Sequence, residues 1–309
     1  MCAHMSVDIV QIMHKRTSLL LVIAFLTILI VALAYVSTRS PAPTGRKGLR
    51  IAVTFYALKP DVDLLLCTGD EVFSVTLSGI DPHEYQLTPA DVAKLRDADL
   101  IISTAHAPFE LNIAELVKSG ELRAKLLEIP SIEGLRILKN PETGNPNYHW
   151  PIYDPQNYMT YVGALAQLLS TLRPECRDAY LSKAATQISN LSSIVKNAPR
   201  LNATAIGATP EVQYAVNWLG INVSFLLIKE HDLPATPKDI AQASVLLSRR
   251  EVSLIVAPED ILDTSIGVKL KELSSTYNVP LLVVPSPTNP KSTYDKIVMV
   301  AESVRALHR

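Results

Sequence analysis

Charge of one sign is the first thing this sequence lacks. Its 29 Lys and Arg stand against 30 Asp and Glu, so no basic field draws nucleic acid and no acidic field draws polycations. Cysteine is scarce: Cys2, Cys67 and Cys176 form no CxxC pair and no zinc-ribbon spacing. Glycine is scarce too, at 11 residues, and none of them sits in a GxGxxG or GxxxxGK(S/T) cradle for phosphate. GxSxG and HExxH are absent, which removes the nucleophile elbow and the zinc-peptidase helix. No His-rich acidic tract occurs either. These absences argue against an enzyme and leave binding by scattered side chains as the expectation.

A long apolar run is present at the N-terminus. His14-Lys15-Arg16 precede an uncharged stretch from Leu19 to Val36, a length between a signal-peptide core and a membrane span. Basic residues ahead of it predict an exported body. Ala32-Leu33-Ala34 reads as a small-x-small cleavage site, so the run is either a removed signal peptide or an uncleaved anchor, and residues 1–48 are assigned to it and its linker. Outside the cytoplasm a Cys67–Cys176 disulfide is chemically permitted.

From Leu49 onward, short β-branched runs alternate with amphipathic segments, the pattern of parallel sheets covered by helices. Four strand-like runs fall in each half: RIAVTFY, VFSVTLS, LIIST and LLEIP, then ATAIGA, VSFLLI, SLIVAP and PLLVVP. The pattern predicts an α/β fold of two similar lobes, residues 49–155 and 199–309, with connecting helices over 156–198. Pro174 should end one of these helices and open the next. A capping side chain followed by Pro predicts helix starts at Thr88, Thr209, Thr236 and Asn289.

In open parallel sheets ligands bind beyond the carboxyl ends of strands. His83, on an Asp81-Pro82 corner, follows the second strand; His106 follows the third, and His149 follows the fourth and a long loop. Glu211 follows the first strand of the second half, and Glu259 with Asp260 its third. Imidazoles suit zinc and are acceptable to manganese, while carboxylates harden a site toward manganese. The bland alternatives are a helix-capping His83, a His149 stacked in an ordered loop, a Glu211 that merely favours a helix dipole, and a solvated turn at Glu259. His231 reads as an exposed loop residue.

The stretch DPHEYQLTPADVAKLRDADLIIS, residues 81–103, resembles the signature of the zinc- and manganese-binding solute receptors of ABC importers, cluster A-I. HWPIYDPQNYMTYVGALAQLLSTLRPECRDAY, residues 149–180, extends the resemblance. It implies two (β/α)4 lobes joined by a rigid backbone helix and a cleft that captures Zn2+ or Mn2+ as cargo. It also implies an extracytoplasmic monomer that delivers the ion to a membrane permease. His83 and His149 match the first two ligands of the family. The third position falls on Thr209, where Glu211 is the better physical donor, and the fourth falls near Val284 to Pro287, which carries no carboxylate. The competing expectation is a receptor fold that has lost metal and binds another ligand or an envelope partner.

Overall fold

The computed structural model describes residues 48–77, 79, 83–230 and 234–307, all within one compact unit, Lys47–Arg309. The expected export run, the Asp81-Pro82 corner and His231 lie outside the described residues. Among the described residues no helix is long and apolar enough to cross a membrane.

All eight strand-like runs form strands. In the first lobe β1 (Arg50–Val53), β2 (Glu71–Ser74), β3 (Leu100–Ser103) and β4 (Lys125–Glu128) make a parallel sheet of order β2-β1-β3-β4. Helices α1 (Lys59–Asp63), α2 (Pro89–Leu95) and α3 (Pro108–Lys118) link these strands. Then come α4 (Pro155–Leu172), a short turn Pro174–Cys176, and α5 (Arg177–Lys196). In the second lobe β5 (Ala203–Gly207), β6 (Ile221–Leu226), β7 (Leu254–Pro258) and β8 (Leu281–Val284) repeat the topology as β6-β5-β7-β8. Its helices are α6 (Val212–Asn217), α7 (Pro237–Ser248), α8 (Ser265–Tyr277) and α9 (Thr293–Leu307). The central strands β3 and β7 are buried along their whole length, as parallel strands covered on both faces must be.

Two of the four expected helix starts hold. Thr88 and Thr236 accept the N–H of Asp91 and Asp239, and those carboxylates accept back from the threonine N–H. The other two fail because their side chains are engaged elsewhere. Thr209 donates its hydroxyl to Glu211, and α6 begins at Val212. Asn289 accepts from its own neighbour Lys291, and Ser292 instead accepts the Asp295 N–H at the start of α9.

Three connections tie these segments together. The Cys67–Cys176 disulfide joins the chain after α1 to the turn before α5, across 109 residues; a loop of that size is worth about 4.7 kcal/mol on the chain-entropy account. Beside it, buried Asp70 accepts from Leu49 N, Cys67 N, Arg173 Nη1 and Tyr180 OH. On the other side, Asp61 of α1 accepts from Thr293 N of α9 at 2.7 Å and from Tyr158 OH of α4 at 3.1 Å. Burial pushes Asp61 up to about 6, against hydrogen bonding by Thr293 and the charge of Lys296. Burial likewise pulls Lys296 down to about 8. Lys296 is fully buried, donates to Pro287 O at 2.8 Å and lies 5.6 Å from the Trp150 ring centroid.

Burial works against ionisation of Asp70, but its hydrogen bonds from Tyr180, Leu49, Cys67 and Arg173 outweigh it and hold the carboxyl below its ordinary value. Stability from this group is therefore complete above the unfolded value of about 3.9 and is lost as pH falls through the lower folded value. Asp70→Asn should cost about 2 kcal/mol or more at pH 7 in urea unfolding, since charged acceptors of several donors are the strong case. It should also flatten the acid side of the stability curve; acid limbs of equal slope in both proteins would contradict the assignment.

Candidate metal centre

His83 and His106 follow the ends of strands, and His149 follows β4 through a long loop. His83 follows β2 and the turn at Gly79, whose φ of +79° an L side chain rarely adopts. Two residues on, Tyr85 donates to Asp91 at 2.8 Å and packs its ring edge on Phe109. Asp91 is the same carboxylate that closes the α2 cap, so the helix start anchors the loop that carries His83.

His106 follows β3 through Ala105, which stands in the left-handed region at φ 58°, a conformation costing a non-glycine residue of order 1–2 kcal/mol. Glu110 holds this turn in place. Its two oxygens accept from the hydroxyls of Thr54, Ser103 and Thr104 and from the N–H groups of Thr104, His106 and Ala107. Burial opposes its ionisation, yet the hydrogen bonds of Thr104 and Thr54, the nearby His106 and the Ala107 N–H hold it below the usual glutamate range. Thr104 spends its single hydroxyl proton on Glu110 at 2.6 Å, so it must accept from His106 Nδ1 at 3.2 Å. That leaves the lone pair on Nε2.

His149 is positioned the same way by a different residue. Asn147 donates both amide protons to the second lobe, to Pro210 O and Gln213 Oε1, each at 2.8 Å. Its oxygen therefore accepts from His149 N at 3.0 Å and from His149 Nδ1 at 3.1 Å. Tyr214 OH adds a bond to Asn147 O at 2.6 Å. The imidazole again carries its lone pair on Nε2, and its loop is pinned to the second lobe.

The three rings converge. His83, His106 and His149 each offer a donor atom, and these atoms all lie within 4.8 Å of one another. Ring centroids are 4.9 Å apart for His83 and His106, and 5.0 Å for His106 and His149. Two protonated rings at that spacing would repel by about 3–4 kcal/mol at an effective dielectric of 20. Three imidazole donor atoms gathered in one space are an arrangement that suits a cation.

The space is a cavity of about 510 Å³ between the sheets, lined on the other side by Thr209, Glu211, Asp260 and Ser286 among others. Glu211 is buried and accepts the Thr209 hydroxyl at 2.7 Å. Asp260 accepts the Ser286 hydroxyl and, at 3.2 Å, that of Thr288. Of the residues expected from sequence, His83, His106, His149 and Glu211 thus share one cavity. Glu259 is not among the lining residues; it accepts from Asn289 at 2.6 Å, and its neighbour Asp260 faces the cavity. Sequence reading passed over Asn147 and Glu110. Glu110 left one sign, its place as the third residue of a Pro-started helix, while Asn147 left none.

The fold and this donor set define a solute-binding receptor with a candidate metal cleft. Residues 51–307 match the family described as zinc-uptake complex component A, periplasmic, and the chain belongs to that family. It is 31% identical over 90 residues to the high-affinity zinc uptake system protein ZnuA of Bacillus subtilis, a match covering 29% of this chain and 28% of that protein. It is 20% identical over 282 residues, 87% of each chain, to the iron-binding protein YfeA of Yersinia pestis. Among solved structures, FpvC of Pseudomonas aeruginosa in complex with Mn2+ superposes with a TM-score of 0.69 at 18% identity, over 85% of this chain and 99% of that one. AdcAII of Streptococcus pneumoniae gives 0.66 at 18%, over 86% and 100%.

The hydrogen bonds of Thr104 and Asn147 predict the Nδ1–H tautomer for His106 and His149. Long-range 1H–15N correlation spectra of metal-free protein, at a pH where the rings are neutral, should show it for both. Thr104→Val should disturb His106 alone. Dominant Nε2–H forms in the unsubstituted protein would contradict the geometry.

Proposed function

We propose that the chain is an extracytoplasmic receptor that captures a divalent metal ion in this cleft and hands it to the permease of an ABC importer. The observation that carries this reading is the convergence of three imidazoles, two of them oriented by committed Nδ1–H bonds. His83, His106 and His149 hold the ion from the first lobe. Glu211 and Asp260 place negative charge on the facing wall. Three nitrogen donors favour zinc over manganese, because imidazole is a borderline base and manganese prefers oxygen. Metal is cargo in this reading, and the chain carries out no catalytic step. It works as a monomer outside the cytoplasmic membrane, tethered or released at its N-terminal segment. Membership of a family of periplasmic zinc-uptake components supports the receptor role, as does similarity to a protein named a metal ABC transporter substrate-binding lipoprotein.

Metal-stripped protein should gain about 2.7 kcal/mol of stability at a zinc concentration one hundred times the dissociation constant, read as a rise in melting temperature. His83→Ala and His149→Ala should each abolish most of that gain. Affinity should fall as pH drops below about 6.5, where protons compete for imidazole. Absence of stabilisation by zinc and by manganese at neutral pH would leave the chain a receptor fold for some other ligand.

A further inference from the structure

A buried ammonium joins two walls of the cavity without lining it. Lys296 is fully buried and is the fourth residue of α9, in a first turn where the helix dipole disfavours a cation. Its Nζ donates to Pro287 O at 2.8 Å and stands 5.6 Å from the centroid of the Trp150 ring, within reach of a cation–π contact. Pro287 and Trp150 both line the cavity, one following β8 in the second lobe and the other next to His149 in the first.

Both contacts are held in place by neighbours. The turn after β8 is gripped at two carbonyls, Pro287 O by Lys296 and Pro285 O by Tyr153 OH at 2.6 Å. Ser286, between them, lines the cavity and donates to Asp260. Trp150 stands at φ 53°, a region few non-glycine residues adopt, and its ring meets Phe55 edge-on at 5.3 Å. The start of α9 is anchored by the Thr293 N–H, which donates to Asp61 of α1 at 2.7 Å. An apolar side chain would fill the place of Lys296 without the cost of burying a charge. What the ammonium adds is direction: an N–H aimed at one wall and a positive charge set against a ring of the other.

We propose that Lys296 is a positioning residue for metal capture: it clamps the Pro287 turn of the second lobe to the Trp150 ring of the histidine loop and so sets how His149 stands against the facing wall. The inference rests on the receptor reading above and adds a residue outside the cavity lining. The ionisable groups facing Lys296 are Asp61 of α1 and Glu259 after β7, and both favour its charge while burial, the larger effect, pulls it down to about 8. Tyr158 and Tyr161 of α4 stand near Asp61 and, pushed well above their ordinary value by burial, stay neutral. Asp295 precedes Lys296 in α9. The ammonium is thus present below that value and lost as pH rises through it.

The test uses Lys296→Met, which keeps a long unbranched side chain and removes the charge and the donor. Metal-stripped protein is titrated with zinc against a chromophoric chelator. Lys296→Met should melt, without metal, at or above the temperature of the unsubstituted protein. It should nevertheless bind zinc about ten-fold more weakly, at the low end of what losing a supporting residue around a metal site costs. The direction separates positioning from charge, because removing a like charge would by itself tighten binding of a cation. A second arm leaves Lys296 in place and uses Trp218→Phe, in which Trp150 is the only tryptophan. Above about pH 7 the imidazoles are already neutral, so with free zinc set by the chelator its affinity should fall as pH rises, in step with a change in Trp150 emission and with a midpoint near 8. Unchanged or tighter zinc binding in Lys296→Met, or affinity that stays level through that range in Trp218→Phe, would overturn the Lys296 assignment alone. Failure of the unsubstituted protein to bind zinc would overturn the receptor reading together with it.

Discussion

Asn147 is the residue on which the site depends. Its side chain can make two donations and accept at one oxygen, and every one of these capacities is committed in a single direction: amide protons to Pro210 and Gln213, oxygen to His149. Reversing the amide would set its oxygen against two acceptors and its protons against the Nδ1–H and N–H of His149. The orientation is thereby fixed, and with it the tautomer of the imidazole and the mounting of its loop on the second lobe. A metal-ligating histidine is commonly held in this way, by a partner on its other nitrogen. Here that partner is also an inter-lobe bond.

The remaining ties act on the same scaffold from further away. Asp61 joins α1, α4 and α9. Lys296 of α9 reaches Pro287 on the cavity wall and the ring of Trp150, the residue next to His149. Buried ionisable groups are a poor source of net stability. What Asp61 and Lys296 contribute is a definite arrangement of the lobes. With the lobes so tied, the histidines of one and the carboxylates of the other face a shared cavity.

The strands were legible because β-branched runs buried on both faces leave a continuous apolar signature. His83, His106 and His149 were legible because strand ends are where such sheets place their ligands, and two of them also carried a family signature. Adjacent residues were harder to separate. Glu259 and Asp260 both follow β7, and only the course of the turn decides that Asp260 meets Ser286 while Glu259 meets Asn289. Thr209-Pro210 and Asn289-Pro290 have the composition of helix caps, but nearby acceptors and donors claimed their side chains. Asn147 acts through partners that the fold brings close, with no local pattern to announce it, and Glu110 showed only its place as the third residue of a Pro-started helix. The Cys67–Cys176 bridge was likewise compatible with the sequence, and only the fold brings the segment after α1 to the turn before α5, where the two sulfurs meet.

The central claim is that three imidazole nitrogens of the first lobe share one cation. Anomalous diffraction at the zinc edge, from crystals of metal-stripped protein given one equivalent of zinc, tests it most directly. A single strong peak with His83, His106 and His149 nitrogens at about 2.0–2.1 Å is the predicted result. A peak elsewhere on the protein, or a cavity without one when zinc is present in full, would contradict the account.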